Sequence, residues 1–237
     1  MKRVIKALDA RVMPLTLFFR DDDAGWSMDG LDAMLGRFAE ADCPVDLAVI
    51  PAVLSEKTAL HLNDWRLQHA GIGLHQHGYA HINYEPSGAR KCEFGSARPI
   101  ERQCADIMIG RERLLNMLGE SDAIFTPPWN RCSQETVSRL GAIGFCGFSV
   151  DHAVEHSGDS LTMIPIAFDW DRMRREARLE NALADTLAVA EGRAGIMLHH
   201  ATLEAEDLDR LTDFLCLATA HAAVCIRPMR YFLESVQ

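Results

Sequence analysis

The sequence predicts an α/β fold, a distorted barrel of seven or eight parallel strands surrounded by helices. Short β-rich segments alternate with longer segments of helical period, an order that implies parallel strands joined by right-handed crossovers. No Gly-x-Gly-x-x-Gly follows the first predicted strand, which disfavours a dinucleotide-binding sheet. Because no linker, internal repeat or low-complexity segment interrupts the pattern, we expect a single domain over residues 1–237.

The predicted elements follow from periodicity and from the residues that interrupt it. Apolar and β-branched runs that end at turn residues predict strands over 15–19, 46–50, 71–75, 123–126, 144–150, 161–168, 195–198 and 223–226. Helical spacing of apolar residues predicts helices over 29–41, 55–69, 100–118, 133–142, 172–191 and 204–221. Ser55 and Ser133 are candidate N-caps, and Pro51 and Pro127 stop the strands that precede them.

Composition excludes several classes of protein. The chain is 48% hydrophobic and 24% charged, ordinary for a globular protein, and its net charge of −10 comes without the basic stripe of a nucleic-acid binder. Its seven cysteines are scattered without a Cys-x-x-Cys pair, which argues against a disulfide framework or a structural zinc site. No apolar run reaches the length of a membrane span or of a signal-peptide core, so we expect a cytoplasmic protein with no membrane partner.

Polar residues that carry chemistry follow five of the predicted strands. In parallel α/β folds the carboxyl ends of the strands share one rim, where active sites form. The segments predicted at this rim are Asp21-Asp22-Asp23, His75-Gln76-His77 with His81, Pro127-Pro128-Trp129-Asn130-Arg131, Asp169-Trp170 and His199-His200. We therefore expect these side chains to surround one cleft.

The pattern favours a divalent metal in that cleft. On a helical turn His77 and His81 would share one face, and imidazoles with an aspartate from the first strand suit zinc or a similar metal. A His-x-x-x-His pair alone is more often two unrelated surface histidines, but three adjacent aspartates repel one another and call for a cation. The competing interpretation is that Asp22 or Asp23 caps the following helix.

The order of these segments resembles the polysaccharide deacetylase (NodB-homology) superfamily, which includes the family 4 carbohydrate esterases. The resemblance covers about residues 15–200. The matching segments, in the family's order, are Asp22-Asp23, His77-Gly78-Tyr79-Ala80-His81, Pro127-Pro128-Trp129, Asp169-Trp170 and Leu198-His199. The family fold is a distorted barrel, usually of seven strands, and its members remove acyl groups from sugars or open related amide bonds.

The resemblance implies a role for each matching residue. Asp23, His77 and His81 would hold the metal, which we expect to be zinc. Asp22 would be the general base and His199 the general acid. The remaining matched residues would contact the substrate and the oxyanion. The backbone N–H near Trp129 would stabilise the oxyanion, and the other residues of this group are Pro128, Asp169 and Trp170. The expected substrate is a carbohydrate or another small molecule that carries an N-acetyl or related amide group.

The sequence departs from the family pattern at three positions. Ala24 follows the aspartate pair where the family often has Gly, so Asp21-Asp22 is an alternative register for the pair. Thr126 stands where the family has the Arg that orients the base, and His200 replaces an Asp. Two nearby arginines could take over: Arg20, which strand alternation points to the same face as Asp22, and, as second choice, Arg131.

Three other functions remain open at this point. The chain could be a non-catalytic carbohydrate- or metal-binding protein on the same fold, or a hydrolase of cyclic amides or ureides. An amidohydrolase-type barrel that uses His75 and His77 is disfavoured, because that class places its His-x-His after the first strand. Glu93-Phe94-Gly95 is either a lining of the cleft or a simple turn, and Trp26 either stacks on a sugar or packs.

Overall fold

The computed structural model describes residues 1–151 and 161–234, and it forms a parallel sheet that curls into a barrel. The strands are β1 (Leu15–Ala24), β2 (Val45–Val49), β3 (Ile72–His77), β4 (Asp122–Thr126), β5 (Gly147–Phe148), β6 (Thr162–Met163), β7 (Ile166–Asp169), β8 (Arg193–Leu198) and β9 (Val224–Ile226). Neighbouring strands follow the order β6-β5-β4-β3-β2-β1-β8-β7, and β9 pairs with the start of β1. The predicted fold, a distorted (β/α) barrel, is confirmed.

The two ends of the sheet meet at Ile166. Its N–H donates to the Val150 carbonyl at 2.8 Å, and Asp151 pairs with it in parallel on that side. On its other side Ile166 pairs with Gly195 of β8. The single predicted strand over 161–168 is therefore two short strands, one beside β5 and one beside β8, which together close the ring.

Helices cover the outside of the sheet. Ser55 and Ser133 cap α3 and α5 as expected, accepting hydrogen bonds from Thr58 N–H and Thr136 N–H at 3.1 Å. The helices are α1 (Lys2–Asp9), α2 (Met28–Glu40), α3 (Glu56–Gln68), α4 (Ile100–Leu118), α5 (Gln134–Ile143), α6 (Trp170–Arg175), α7 (Leu179–Val189), α8 (Ala205–Ala220) and α9 (Tyr231–Glu234). The predicted helix over 172–191 is two helices, because Ala177 adopts a left-handed φ of 52° that breaks the helical path.

Side-chain alternation on β1 separates the outer core from the barrel interior. Leu15, Leu17 and Phe19 pack in the main core cluster beneath the helices, where Phe19 meets Phe38 of α2 edge to face. Phe18 points the other way, into a cluster with residues of β4 and β8 and with the C-terminal Phe232. The same alternation places Arg20 and Asp22 on the interior side above Phe18.

A β-bulge at the end of β1 decides which aspartates reach the interior. The sequence predicted that β1 ends before the aspartates, but it runs through them, because β8 continues to pair with it as far as Asp21 and β2 as far as Ala24. Asp21 pairs with Leu47 and Ala24 with Val49, so one extra residue is inserted, and Asp23 has a φ of 70°. Bulges re-aim side chains next to functional sites. Here the bulge allows two consecutive residues, Asp22 and Asp23, to serve the same site.

No helix among the described residues is both long and apolar enough to cross a membrane. All of the cysteines are free, including the buried Cys43 and Cys92.

Candidate active site

Asp23, His77 and His81 meet at the carboxyl end of the barrel. Asp23 Oδ1 lies 3.2 Å from His77 Nε2 and 3.1 Å from His81 Nε2. One donor atom from each residue falls within 4.8 Å of the other two. Ligands held tetrahedrally about 2.0–2.1 Å from a zinc-sized ion would lie about 3.4 Å apart, so the spacing of these donors fits a cation of this size.

The hydrogen bonding of His77 gives a second reason to expect a cation here. Its Nδ1 lies 3.1 Å from the Thr126 carbonyl oxygen, which can only accept, so Nδ1 carries the proton. In the neutral ring the Nε2 lone pair then faces the carboxylate of Asp23. Asp23 Oδ1 is buried and has no properly aligned hydrogen-bond donor among the described residues. A metal ion between Asp23 Oδ1 and the two imidazole nitrogens would give each of these atoms a partner. A backbone carbonyl that accepts from the other ring nitrogen, as the Thr126 carbonyl does for His77, is a usual support of a ligand histidine.

His77 and His81 do not lie on a helical turn, which is the arrangement that their spacing suggested. His77 is the last residue of β3, and His81 follows in a loop with a left-handed φ of 56°. The helical turn expected from the i, i+4 spacing is therefore wrong, since a strand end and a reversed loop bring the imidazoles together. Their ring centroids are 5.2 Å apart.

Arg20 and Asp22 form a buried ion pair beside these residues. The Arg20 Nε and one terminal nitrogen donate to the two oxygens of Asp22 at 2.8 and 2.9 Å. Burial opposes the ionisation of Asp22, but the Arg20 guanidinium, followed by His77 and His199, outweighs burial and holds the pKa of this carboxyl below its usual value. Asp22 is thus a carboxylate held in one orientation next to Asp23.

The rest of the Arg20 guanidinium is also bonded inside the barrel. It donates to Ser149 Oγ and to Asn130 Oδ1, both at 2.8 Å, and it contacts Met197 Sδ at 3.0 Å. Arg131, the second candidate for orienting Asp22, instead donates to the Lys91 carbonyl at 2.9 Å. Of the two arginines, only Arg20 contacts the aspartate run.

The third aspartate, Asp21, bonds to His200 across the strand ends. His200 Nδ1 lies 2.6 Å from Asp21 Oδ2, its backbone N–H donates to Oδ1 at 2.8 Å, and its Nε2 donates to the Trp26 carbonyl at 2.8 Å. Burial raises the pKa of Asp21 and works against a charged His200, yet acceptors at both ring nitrogens favour the imidazolium and raise the pKa of His200 to about 9. Both oxygens of Asp21 are therefore bonded to His200, and the aspartates that face the candidate metal site are Asp22 and Asp23.

His199 lies at the end of β8, between the strand and a 3-10 turn over His200–Thr202. It is close enough to Asp22 to interact with it electrostatically. Its Nδ1 is buried and has no hydrogen-bond partner among the described residues. The Asp expected after this His in the family pattern is His200, so the neighbour in sequence does not orient the ring.

The turn after β4 has unusual backbone geometry. Trp129 and Asn130 are both left-handed, with φ of 57° and 54°. Such conformations cost free energy in residues other than Gly and concentrate at functional sites. Asn130 is held there by its bond to Arg20, and buried Pro128 packs beneath Gly78 of the histidine loop.

Two indole rings flank His81. The Trp129 ring centroid is 4.4 Å from the His81 ring, and that of Trp26 is 5.1 Å away, both edge to face. Trp26 is 38% exposed. The wall of the candidate metal site is therefore aromatic, and part of it is open to a ligand.

The side chains of the other matched pair, Asp169 and Trp170, make their contacts with α6 and the outer core. Asp169 caps α6 by accepting the Arg172 N–H at 2.9 Å. Trp170 is fully buried and packs against Phe168 and Phe214 in the outer core. Because Phe168 and Trp170, two residues apart, both pack in the outer core beneath the helices, the indole of Trp170 does not line the cleft as the family pattern had suggested.

His75 and the residues that contact Arg20 also lie buried near the site. His75 bonds Thr126 Oγ1 at 2.9 Å, and burial, reinforced by the charge of Arg20, lowers the pKa of His75 to about 3, so it stays neutral. Sequence analysis overlooked the contacts of Asn130, Ser149 and Met197 with Arg20. Ser149 follows β5, so the rule that chemistry gathers at strand ends could have found it, whereas nothing in the sequence marks Met197.

Comparisons with known proteins support the fold. No family model matches the sequence, and no curated relative matches it. Among solved structures, a protein described as a polysaccharide deacetylase from Mycobacterium smegmatis superposes with a TM-score of 0.71 at 17% identity, over 96% of this chain and 91% of that one. A family 4 acetyl xylan esterase from Clostridium thermocellum, in complex with a cobalt ion, gives 0.63 at 12% identity, over 93% and 91%.

A third similar structure is described as a pseudoenzyme. This family 4 carbohydrate esterase homologue from Bacillus anthracis superposes with a TM-score of 0.65 at 12% identity, over 92% of this chain and 65% of that one. At such identities the comparisons establish that the chain has the fold of polysaccharide deacetylases. What it does must be argued from its own site.

Proposed function

We propose that the protein is a divergent member of the polysaccharide deacetylase superfamily, a metal-dependent hydrolase that removes an acetyl group from an N-acetylated sugar or a related small amide. The observation that carries this proposal is the position of the ionised Asp22 beside the Asp23, His77 and His81 cluster. A structural metal site needs no additional carboxylate that is oriented and left unbound to the metal, whereas a hydrolytic site needs a base.

Asp23, His77 and His81 would hold the cation, which we expect to be zinc. Their one carboxylate and two imidazoles leave a coordination position for water, as catalytic zinc sites do. When bound, such an ion polarises the acyl carbonyl and lowers the pKa of its water.

Asp22 is the proposed general base. Its carboxylate is 4% exposed and is gripped on both oxygens by Arg20, so it stays ionised and cannot rotate. A carboxylate in this state accepts a proton from water as the water attacks the acyl carbonyl. Arg20 contributes by fixing the direction from which the proton is taken.

His199 is the proposed general acid, and the Trp129 N–H the proposed oxyanion donor. His199 lies close enough to Asp22 to interact with it electrostatically, and its proposed role is to donate a proton to the leaving amine. The left-handed backbone of Trp129, held through Asn130, fixes the direction of its N–H before the substrate arrives. Donors fixed in advance stabilise developing negative charge without reorganisation.

A second candidate function is binding without catalysis. The observation that favours it is that His199 Nδ1 has no acceptor in the part of the chain that the structure describes, because an acid that no acceptor orients donates poorly. The pseudoenzyme of the same fold makes this alternative concrete. The protein would then bind a carbohydrate or a metal at the same aromatic cleft.

The test is acetate release from a panel of N-acetylated sugars, with cyclic amides and ureides as further substrates and with metal analysis of the same preparations. We expect release that disappears after chelation and returns with zinc. His81→Ala should abolish it, whereas His61→Ala, on the outer helix α3, should not. A protein that binds zinc or sugar but hydrolyses nothing in the panel would support the binding function. A protein that binds no metal would refute the hydrolase, and one that binds neither metal nor sugar would refute both proposals for the site.

A further inference from the structure

The carboxylate of Glu93 lies buried behind the loop that carries His81. Its side chain is fully inaccessible to solvent. Ala80 N–H donates to Oε1 at 2.8 Å and Tyr79 N–H to Oε2 at 3.2 Å, and the His81 N–H adds a favourable interaction. Successive backbone N–H groups that converge on one anion form a nest, which fixes the backbone around it.

Backbone hydrogen bonds to neighbouring segments fix the start of this loop: Gly78 N–H donates to the Thr126 carbonyl, and the Tyr79 carbonyl accepts the Ala52 N–H, both at 2.9 Å. The loop leaves β3 after His77, turns at Gly78 with a φ of 52°, and turns again at His81 with a φ of 56°. A Cβ at Gly78 would collide with Glu93 Oε2 and with Pro128, so the loop lies directly on the carboxylate. Glu93 supplies the acceptors that a strand or a helix would otherwise provide.

Glu93 is itself attached to the barrel independently of that loop. Its neighbour Phe94 pairs in parallel with Cys132, and the Ser133 N–H donates to the Phe94 carbonyl at 2.8 Å. The Phe94 ring is buried against Phe125 of β4, with centroids 5.5 Å apart. The carboxylate is therefore fixed to the wall of β4 and α5 and holds the loop from behind.

From this arrangement we propose that Glu93 is a positioning residue for the metal site, which keeps His81 in reach of Asp23. The inference rests on the proposed metal site and adds to it a residue that touches neither metal nor substrate. His77 is fixed by β3 and by a hydrogen bond to the Thr126 carbonyl. His81 lies in the loop, and outside the metal cluster its ring contacts the two flanking indoles. Loss of Glu93 should therefore release His81 and leave His77 in place.

The test compares Glu93→Gln with a matched control, Glu85→Gln. Glu85 is an acid of the same segment whose carboxylate accepts a backbone N–H, that of Ala97 at 3.4 Å, but contacts no ligand residue. The measurements are the zinc dissociation constant by competition with a chromophoric chelator, and amide hydrogen exchange across residues 78–81 in the metal-free protein. For Glu93→Gln we expect zinc binding about 10–100-fold weaker, the usual effect of removing a support of a ligand. We also expect faster exchange in this loop alone, with Glu85→Gln like wild type.

Each outcome decides something. Unchanged zinc affinity and unchanged exchange in Glu93→Gln would overturn the inference while leaving the proposed function standing. A wild-type protein that binds no zinc would refute the proposed function instead, and the exchange measurement would still decide whether Glu93 holds the loop. If Glu93→Gln does not fold, Glu93→Asp keeps the charge on a shorter side chain. Its zinc affinity should then lie between wild type and the loss predicted for Gln, and wild-type affinity would count against the inference.

Discussion

Arg20 and Asp22, two residues apart on β1, form a bidentate ion pair inside the barrel. In the family that the sequence resembles, the corresponding Arg follows the fourth strand, where this chain has Thr126. Here the strand that carries the proposed base also carries its partner. The same contact is made from a different position in the chain, and Thr126 is free to support His75 and His77 instead.

Removing one member of this ion pair should lower the free energy of unfolding more than removing both. Arg20→Met leaves the buried Asp22 without its partner, and we expect a loss of about 3–5 kcal/mol in the free energy of unfolding. The double variant Arg20→Met/Asp22→Asn should recover part of this loss, because no charge is then left unpaired. Urea denaturation of the two single variants and the double variant measures both effects. Strict additivity would contradict the direct coupling.

The proposed role of His199 separates turnover from metal binding. His199→Ala should lower turnover by about 10²–10⁴-fold, the usual contribution of a positioned proton donor. Zinc content should stay at the wild-type level, because His199 is not among the three clustered donors. Steady-state kinetics with metal analysis tests this, and His221→Ala, at the end of α8, is the matched control. Full activity or lost zinc would remove His199 from the proposed role.

Trp170 should matter for stability and not for substrate. Trp170→Ala removes a fully buried side chain and should cost about 3–5 kcal/mol of the free energy of unfolding. Trp170→Phe keeps most of the volume and loses no hydrogen bond, since the indole N–H has no acceptor among the described residues. Its KM for any accepted substrate should therefore equal that of wild type. A raised KM in Trp170→Phe would mean that the ring reaches the cleft.

Asp46 should make the protein less stable as the pH rises. It is buried beside Asp122 and accepts the Met229 N–H at 2.8 Å, and burial raises its pKa to about 8. The folded state thus binds a proton that the unfolded state, with an ordinary pKa of about 3.9, releases. Stability from this group is complete below about pH 4, falls through the interval up to about pH 8, and is constant above it.

Asp46→Asn should remove that dependence while keeping an acceptor for Met229. Relative to wild type, the variant should gain a few kcal/mol between about pH 5 and pH 8, at most about 1.4 kcal/mol per pH unit. Denaturation at several pH values measures the difference, and Asp64→Asn, on the exposed side of α3, is the control. Parallel curves for wild type and Asp46→Asn would show that Asp46 is already ionised in the folded protein.

The sequence allowed the fold and most of the cluster to be predicted, because both depend on repeated local signals. Alternating strand and helix periods give the barrel, and the strand-end rule gathers Asp22, Asp23, His77 and His199 on one rim. The bulge at Asp23 and the reversed loop at His81 could not be predicted, since each is set by pairing with distant strands or by a distant acceptor. Only the folded chain shows that Glu93 is that acceptor.

The pairing of β1 with β8 has a consequence for how the chain is made. Asp21 and His200 bond to each other although 179 residues separate them. A ribosome finishes the aspartate run and both histidines of the proposed metal site roughly ten seconds, at a typical rate, before the strand that covers this side of β1. Until then β1 presents an open, hydrogen-bonding edge, the kind that recruits strands from other chains. The nascent protein therefore carries the residues of its proposed metal site, together with an unpaired strand edge, before it carries its proposed acid.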